Sequence, residues 1–197
     1  MKYIKKVKYN SPVVLTFAII SLCVLILNIA THGYSNHYLF SVYRSSPFNL
    51  FFWVRLFGHV LGHAGLEHYS GNMLLILLLG PMLEEKYGSG KLAAMMGAVA
   101  VITGVFNIIV FPNSALLGAS GIVFMMMILS SAAGMKKGEI PLTLVVVTVI
   151  YIGQEVLTGI TTRDNISQLT HIIGGLCGGA FGLILGGSSE KHNINTF

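Results

Sequence analysis

Charge is what this 197-residue chain has least of: 10% of its residues are charged and 54% are hydrophobic. A soluble domain is about one quarter charged, so a water-soluble enzyme is excluded at the outset. The mean hydropathy of +0.76 points the same way. It implies a polytopic membrane protein with an all-α fold, since apolar runs cross a bilayer as helices. Acidic residues are scarcer still. Asp164 is the only aspartate, which excludes an intramembrane aspartyl pair, and no His-Glu-x-x-His zinc stretch is present. Cysteine is limited to Cys23 and Cys177; both lie in apolar runs and are read as small buried hydrophobes, not as a disulfide or a metal pair. Internal repeats and low-complexity tracts are lacking, which excludes a repeat architecture. The net charge of +5 does not mark a nucleic-acid partner, because the lysines stand beside apolar runs and not in one patch.

What is present is a set of six apolar runs. The first, Pro12 to Ala30, follows Lys2, Lys5, Lys6 and Lys8. A signal peptide also begins this way, but the run is long for one and no small-x-small cleavage site follows, so a retained span is expected. The others lie at about 68–83, 91–111, 120–134, 139–158 and 168–186. Residues 31–67 combine aromatic rings (Tyr34, Phe48, Phe51, Trp53 and Phe57 among them) with a few cations and no long apolar run, a composition suited to the bilayer interface. With the N-terminus inside, all nine lysines, including Lys86, Lys91, Lys136, Lys137 and Lys191, fall on the cytoplasmic side, and Arg44, Arg55 and Arg163 fall outside. That is a positive-inside bias. The expected organisation is a cytoplasmic tail over 1–11, a six-helix membrane domain over 12–186 and a second cytoplasmic tail over 187–197. The short tails and the lack of an Arg-rich leader point to a bacterial plasma membrane.

Polar groups inside the spans are costly, and each needs a reason. The central stretch is Leu117-Gly118-Ala119-Ser120-Gly121. The run it opens, Ser120 to Gly134, would make a helix of about 22 Å in a hydrocarbon core of about 30 Å, so Ser120 lies below the outer membrane face. Residues 111–118, with Pro112, Asn113, Ser114 and Gly118, are expected to be non-helical backbone, tolerated at that depth only inside protein or beside water. In the second run His68 and Asn72 are four apart and share a helix face, and both carry N–H donors such as an oxyanion hole uses. In the last run His171 stands on the face of two small-x3-small pairs, Gly174 with Gly178 and Gly175 with Gly179, which admit a neighbouring helix closely. If that neighbour begins at Ser120, the imidazole of His171 reaches the Ser120 hydroxyl, the pairing of base and nucleophile in acyl transfer. No third member is apparent. Asp164 is seven residues from His171, about 10 Å along a helix, and Glu67 and Glu155 read as interfacial, so a Ser–His dyad is expected.

Each residue also has a plainer interpretation. Gly-x-Ser-Gly can be ordinary helix-packing sequence, and a histidine in a span can be an interhelical hydrogen bonder. His59 and His63, four apart, could join His68 in ligating a metal or haem, although no cysteine or acid cluster accompanies them. The nine methionines, Met125, Met126 and Met127 among them, are read as apolar filling. The specific signal is the conjunction of the motifs.

From about Phe51 to Gly175 these residues resemble the rhomboid family of intramembrane serine proteases. His59, His63, His68 and Asn72 fall on its H-x3-H-x4-H-x3-N segment, Gly118-Ala119-Ser120-Gly121 on its GxSG, and His171-Ile172-Ile173-Gly174 on its HxxG. The resemblance implies a six-helix bundle with Ser120 as nucleophile and His171 as base. His68, Asn72 and the Ser120 backbone N–H would form the oxyanion hole, supported by His63, Gly118, Gly121, Phe124 and Gly174. It implies an endopeptidase that cleaves transmembrane protein substrates within the lipid bilayer without a cofactor or metal and admits them past the fifth span. A non-catalytic rhomboid-like scaffold that binds membrane helices is the alternative. The chain departs from the pattern at three places: Trp53-Val54-Arg55 for the usual Trp-Arg, Glu84-Glu85-Lys86 for Glu-x-Arg, and Phe124 for a tyrosine that stacks on the histidine.

Overall fold

A computed structural model describes residues 8–133, 139–161 and 165–186. Lys2, Lys5, Lys6, Gly134, Lys136, Lys137, Arg163, Asp164, Lys191 and the tail over 187–197 lie outside the described residues, as does the side chain of Glu155. Eight helices make up the described fold: α1 (Pro12–Ala30), α2 (Tyr34–Leu39), α3 (Leu50–Gly58), α4 (Leu66–Tyr87), α5 (Ser89–Val110), α6 (Ser120–Ser131), α7 (Leu142–Thr161) and α8 (Asn165–Gly186). α1, α5 and residues Gln168–Leu185 are long and apolar enough to cross a membrane. Ile26, Ile109, Val149, Leu176 and Ile184 point outward from α1, α5, α7 and α8 and stay exposed. That is the surface lipid covers in an integral membrane protein.

α6 is the helix the others enclose. Ile122, Met125, Met126 and Leu129 are fully buried, packed with Ile76 and Leu83 of α4 and Leu92 and Val99 of α5. Two of the three central methionines are therefore core filling, as expected. α6 has 12 residues, about 18 Å, and is shorter than the run 120–134 because Ala132 and Ala133 leave the helix as a turn. The sequence from 31 to 67 is not irregular throughout: α2 and α3 are short helices that leave Tyr34, Leu50, Phe51, Trp53 and Phe57 at least half exposed, aromatic surface of the kind found at membrane interfaces.

α1 and α4 are joined by a contact that the residue pattern did not announce. Pro12 opens α1 where its missing N–H costs nothing, but Ser11 makes no side-chain capping bond. The buried carboxylate of Glu84 takes that part, accepting from the N–H groups of Val13 at 3.0 Å and Val14 at 3.1 Å and from the Ser89 hydroxyl at 2.7 Å. Gly80 lets Val14 close onto α4, where a β-carbon would lie 2.6 Å from Val14 Cγ2. Tyr69 completes the seam by donating to the Ala18 carbonyl. A single residue, Gly88 at φ +84°, separates α4 from α5, a turn that side chains resist.

Candidate active site

Ser120 is the first residue of α6, and the loop before it is held on three sides. Val42 and Leu116 exchange both backbone hydrogen bonds, at 2.8 and 2.9 Å, in an isolated antiparallel bridge. The fully buried Asn107 of α5 donates to the Val42 and Ser114 carbonyls, both at 3.2 Å. Gly118 N–H donates to the His59 carbonyl at 2.9 Å. Residues 111–118 are thus non-helical, as their proline and turn formers indicate, and the backbone of Ser114, Leu116 and Gly118 is hydrogen-bonded within the protein, as such a segment needs in a membrane.

The two glycines of the Gly-x-Ser-Gly stretch have steric causes. Gly118 has φ +121°, and a β-carbon there would meet the His68 ring, 2.8 Å from Nε2, with Asn72 Nδ2 at 3.9 Å. Gly121 is hemmed in by Thr103 and Val99 of α5 and Thr170 of α8. Gly174 of α8 presses onto the Gly121 backbone, and Gly178, one turn on, onto the Met125 backbone. The small-x3-small pair does what such pairs do. The second pair needs correcting: Gly175 and Gly179 are not in this seam but line a lateral cavity of about 480 Å³ with Leu144 and Thr148 of α7.

α8 thereby sets His171 one turn above the Gly174 contact, and its imidazole packs on Phe124 with ring centroids 4.4 Å apart at 37°. Phe124 thus keeps the ring contact expected of the usual tyrosine. His171 and Phe124 meet where α8 crosses the first turns of α6, the helix that Ser120 opens. The N-terminal end of a helix dipole lies there, which favours negative charge on a group bound beside it.

α4 brings its polar face to the same loop. His68 Nδ1 accepts a long bond from the Ala64 N–H at 3.5 Å, so in the neutral imidazole the proton is on Nε2, the atom facing Gly118. Asn72 is buried, and its Nδ2 has no acceptor among the described residues. Two side-chain donors therefore converge on one side of Gly118. A buried amide donor without a partner is costly unless a water or ligand oxygen meets it, and this one lies beside Gly118.

His63 and His59 lie behind this face. The spacing of four does not put them on one helix, because α3 ends at Gly58. His63 is fully buried, edge-on to His68 at 5.1 Å and to Tyr69 at 5.5 Å, and donates through Nδ1 to the Leu61 carbonyl. His59 donates through Nδ1 to the Leu56 carbonyl and turns Nε2 towards Thr103 at 3.4 Å. Burial pushes both imidazoles down to about 4, with the neighbouring His68 adding to the effect at His63. Both are neutral packing groups near neutral pH. Arg55, one residue off the usual Trp-Arg spacing, is buried, donates to Ser45 Oγ at 2.6 Å and the Tyr38 carbonyl at 3.4 Å, and stacks over Tyr43 at 4.4 Å.

Among the described residues the fold is all-helical, with apolar helices long enough to cross a membrane and a polar cluster at the start of α6, the make-up of an integral membrane protein. The sequence profile of the family described as "Rhomboid domain" matches residues 51–188, well over half of the chain, and the chain belongs to the rhomboid family. It is similar to Rhomboid-related protein 1 of Caenorhabditis elegans, 27% identical over 149 residues that make up 71% of this chain and 42% of that protein. It is also similar to Rhomboid protease GluP of Bacillus subtilis (strain 168), 32% identical over 134 residues, 66% of this chain and 25% of that one. The chain spans less than half the length of either relative.

Proposed function

We propose that this protein is an intramembrane serine endopeptidase that cleaves transmembrane segments of other membrane proteins. Ser120 Oγ attacks the scissile carbonyl carbon as its proton passes to His171. The oxygen that becomes negative is held by His68 Nε2–H, Asn72 Nδ2–H and the Ser120 backbone N–H. Collapse of the tetrahedral species expels the amine, which takes the proton from His171, and water then hydrolyses the ester by the same relay. The observation that carries the reading is the pair of converging donors at Gly118, one of them a buried amide N–H with no acceptor among the described residues. A scaffold that only bound helices would have no use for an unmatched donor there, which favours the enzyme over a non-catalytic rhomboid-like protein.

In this reading α1, α4, α5, α6, α7 and α8 are the six spans, residues 12–186 form the protease domain, and both tails are cytoplasmic in a bacterial plasma membrane. Substrate comes in from lipid past α7. The lateral cavity lined by Leu144 and Thr148 of α7 and Gly175 and Gly179 of α8 supports this side as the gate. Labelling with a serine-reactive fluorophosphonate probe tests the mechanism. The native chain should label and cleave a transmembrane reporter, Ser120→Ala should do neither, and His171→Ala should remain folded without cleaving. Cleavage by Ser120→Ala, or loss of native activity on adding a chelator, would refute it.

A further inference from the structure

We infer that Asn107 is a positioning residue for this reaction, one that sets where Ser120 stands by indexing the preceding loop against the segment after α2. The inference rests on the serine-protease reading of the same site. Asn107 lies on the last turn of α5, and its own carbonyl accepts the Phe111 N–H at 2.9 Å as the helix ends. Its side chain is fully buried and spends both amide hydrogens on carbonyls of two different segments, Val42 and Ser114. The Ser114 carbonyl lies six residues before Ser120, and the Val42 carbonyl is the one already bonded to Leu116 N–H. One carboxamide therefore ties the bridge residue Val42 to the loop two residues before its bridge partner Leu116. Beneath it Val42, Leu56 and Leu116 form a small apolar cluster of their own, apart from the main core. The loop is thus indexed by a few hydrogen bonds and little packing.

The chemistry is specific to an amide. Aspartate would set a carboxylate against two carbonyl oxygens, and leucine would leave the part-buried Ser114 carbonyl without this donor. A loop freed at Ser114 can slide along Val42. Gly118 and the Ser120 N–H would then shift relative to His68 and Asn72, and displacements of about 1 Å at a reacting centre cost on the order of a hundredfold in rate.

The test uses a full-length chain in which Cys23 and Cys177 are alanine and Val42 and Leu116 are both cysteine. A pair that exchanges both bonds has Cα atoms about 5.5 Å apart, a separation a disulfide spans. Asn107→Ala is added to the disulfide form, so the variant is folded before the clamp is released by reduction. On reduction, amide exchange at residue 116 and Gly118 should rise by about tenfold or more. The kcat on a transmembrane reporter should fall by at least about tenfold, with KM changed less than about twofold; reoxidation should restore both. With Asn107 intact, reduction should change neither. Unchanged exchange after reduction of Asn107→Ala, or a kcat loss that reoxidation does not recover, would overturn the positioning role. If the native chain fails to react with the fluorophosphonate, the serine mechanism falls, while the exchange readout still decides whether Asn107 holds the loop.

Discussion

Two faces of α8, one residue apart in sequence, meet opposite surroundings. Gly174, Gly178 and Gly182 lie against α6 with no room for a side chain, the last with Ala132 Cβ 2.7 Å from where its own β-carbon would be. Gly175 and Gly179 face the cavity beside α7, where a β-carbon on Gly179 would make only an ordinary contact, 3.8 Å from Ile128 Cγ2. The difference teaches what each glycine is for. Against α6 it fixes the height of His171 relative to Ser120; towards α7 it leaves volume. Close packing is concentrated where the proposed mechanism passes a proton, and volume is left beside the helix proposed as the gate.

The largest effect expected from breaking this contrast is at Gly174. In Gly174→Val the side chain collides with the Gly121 backbone, so α8 must lift off α6. Cleavage should vanish and the thermal midpoint in detergent should fall, by an amount equivalent to about 3 kcal/mol or more. A stable, active Gly174→Val would mean that the seam does not set the site. Next in size is Asn72→Ala, which removes one of the proposed oxyanion donors and leaves the seam intact. Its kcat should drop by about 10²–10³ with little change in KM, while Ser120 still reacts with a phosphonylating probe. An unchanged kcat would remove α4 from the chemistry.

A third effect belongs to the rigid side and is set by acid. His59 and His63 titrate near 4 when folded, against 6.5 in the free side chain, so as pH falls the unfolded chain binds protons first. Stability should hold above pH 6.5 and decline between 6.5 and 4, by at most about 3 kcal/mol for each histidine. Thermal midpoints that do not move with pH over that window would show the two rings to be solvated. The smallest effect is the sharpest comparison. Gly178→Ala meets the Met125 backbone and should cost stability and activity together. Its neighbour Gly179→Ala makes only an ordinary van der Waals contact and should lie within about 0.5 kcal/mol of the native chain. Equal outcomes at the two positions would erase the distinction between the faces.

Much of this was legible in the residues. Apolar runs marked the helices because hydrocarbon demands them, and polar groups at helical spacing inside those runs, His68 with Asn72 and His171 with Gly174, marked one face each. What was hidden depends on partners without a sequence signature. Asn107 bonds carbonyls that any residue could present, although a lone amide in an apolar run was itself a signal of the kind that singled out Asn72. His59 and His63 misled by spacing, since a period of four means a shared face only while the helix continues. The pairs at Gly174 and Gly175 looked equivalent because each repeats every four residues, and only the packing partner distinguishes them.

The bond between Glu84 and the start of α1 has a consequence for how the protein is made. The carboxylate that satisfies Val13 N–H is 71 residues further along the chain. At roughly 5–20 residues per second of synthesis, the first helix waits several seconds for it. During that interval the N-terminal end of α1 has only water and lipid headgroups to bond, which keeps it at the membrane surface. Once α4 has been threaded and Glu84 arrives from within the protein, that end can be drawn against α4 at Gly80. The C-terminal end of α1 is bonded to α2 as soon as that helix forms, but its N-terminal end is secured only when the fourth helix has been made.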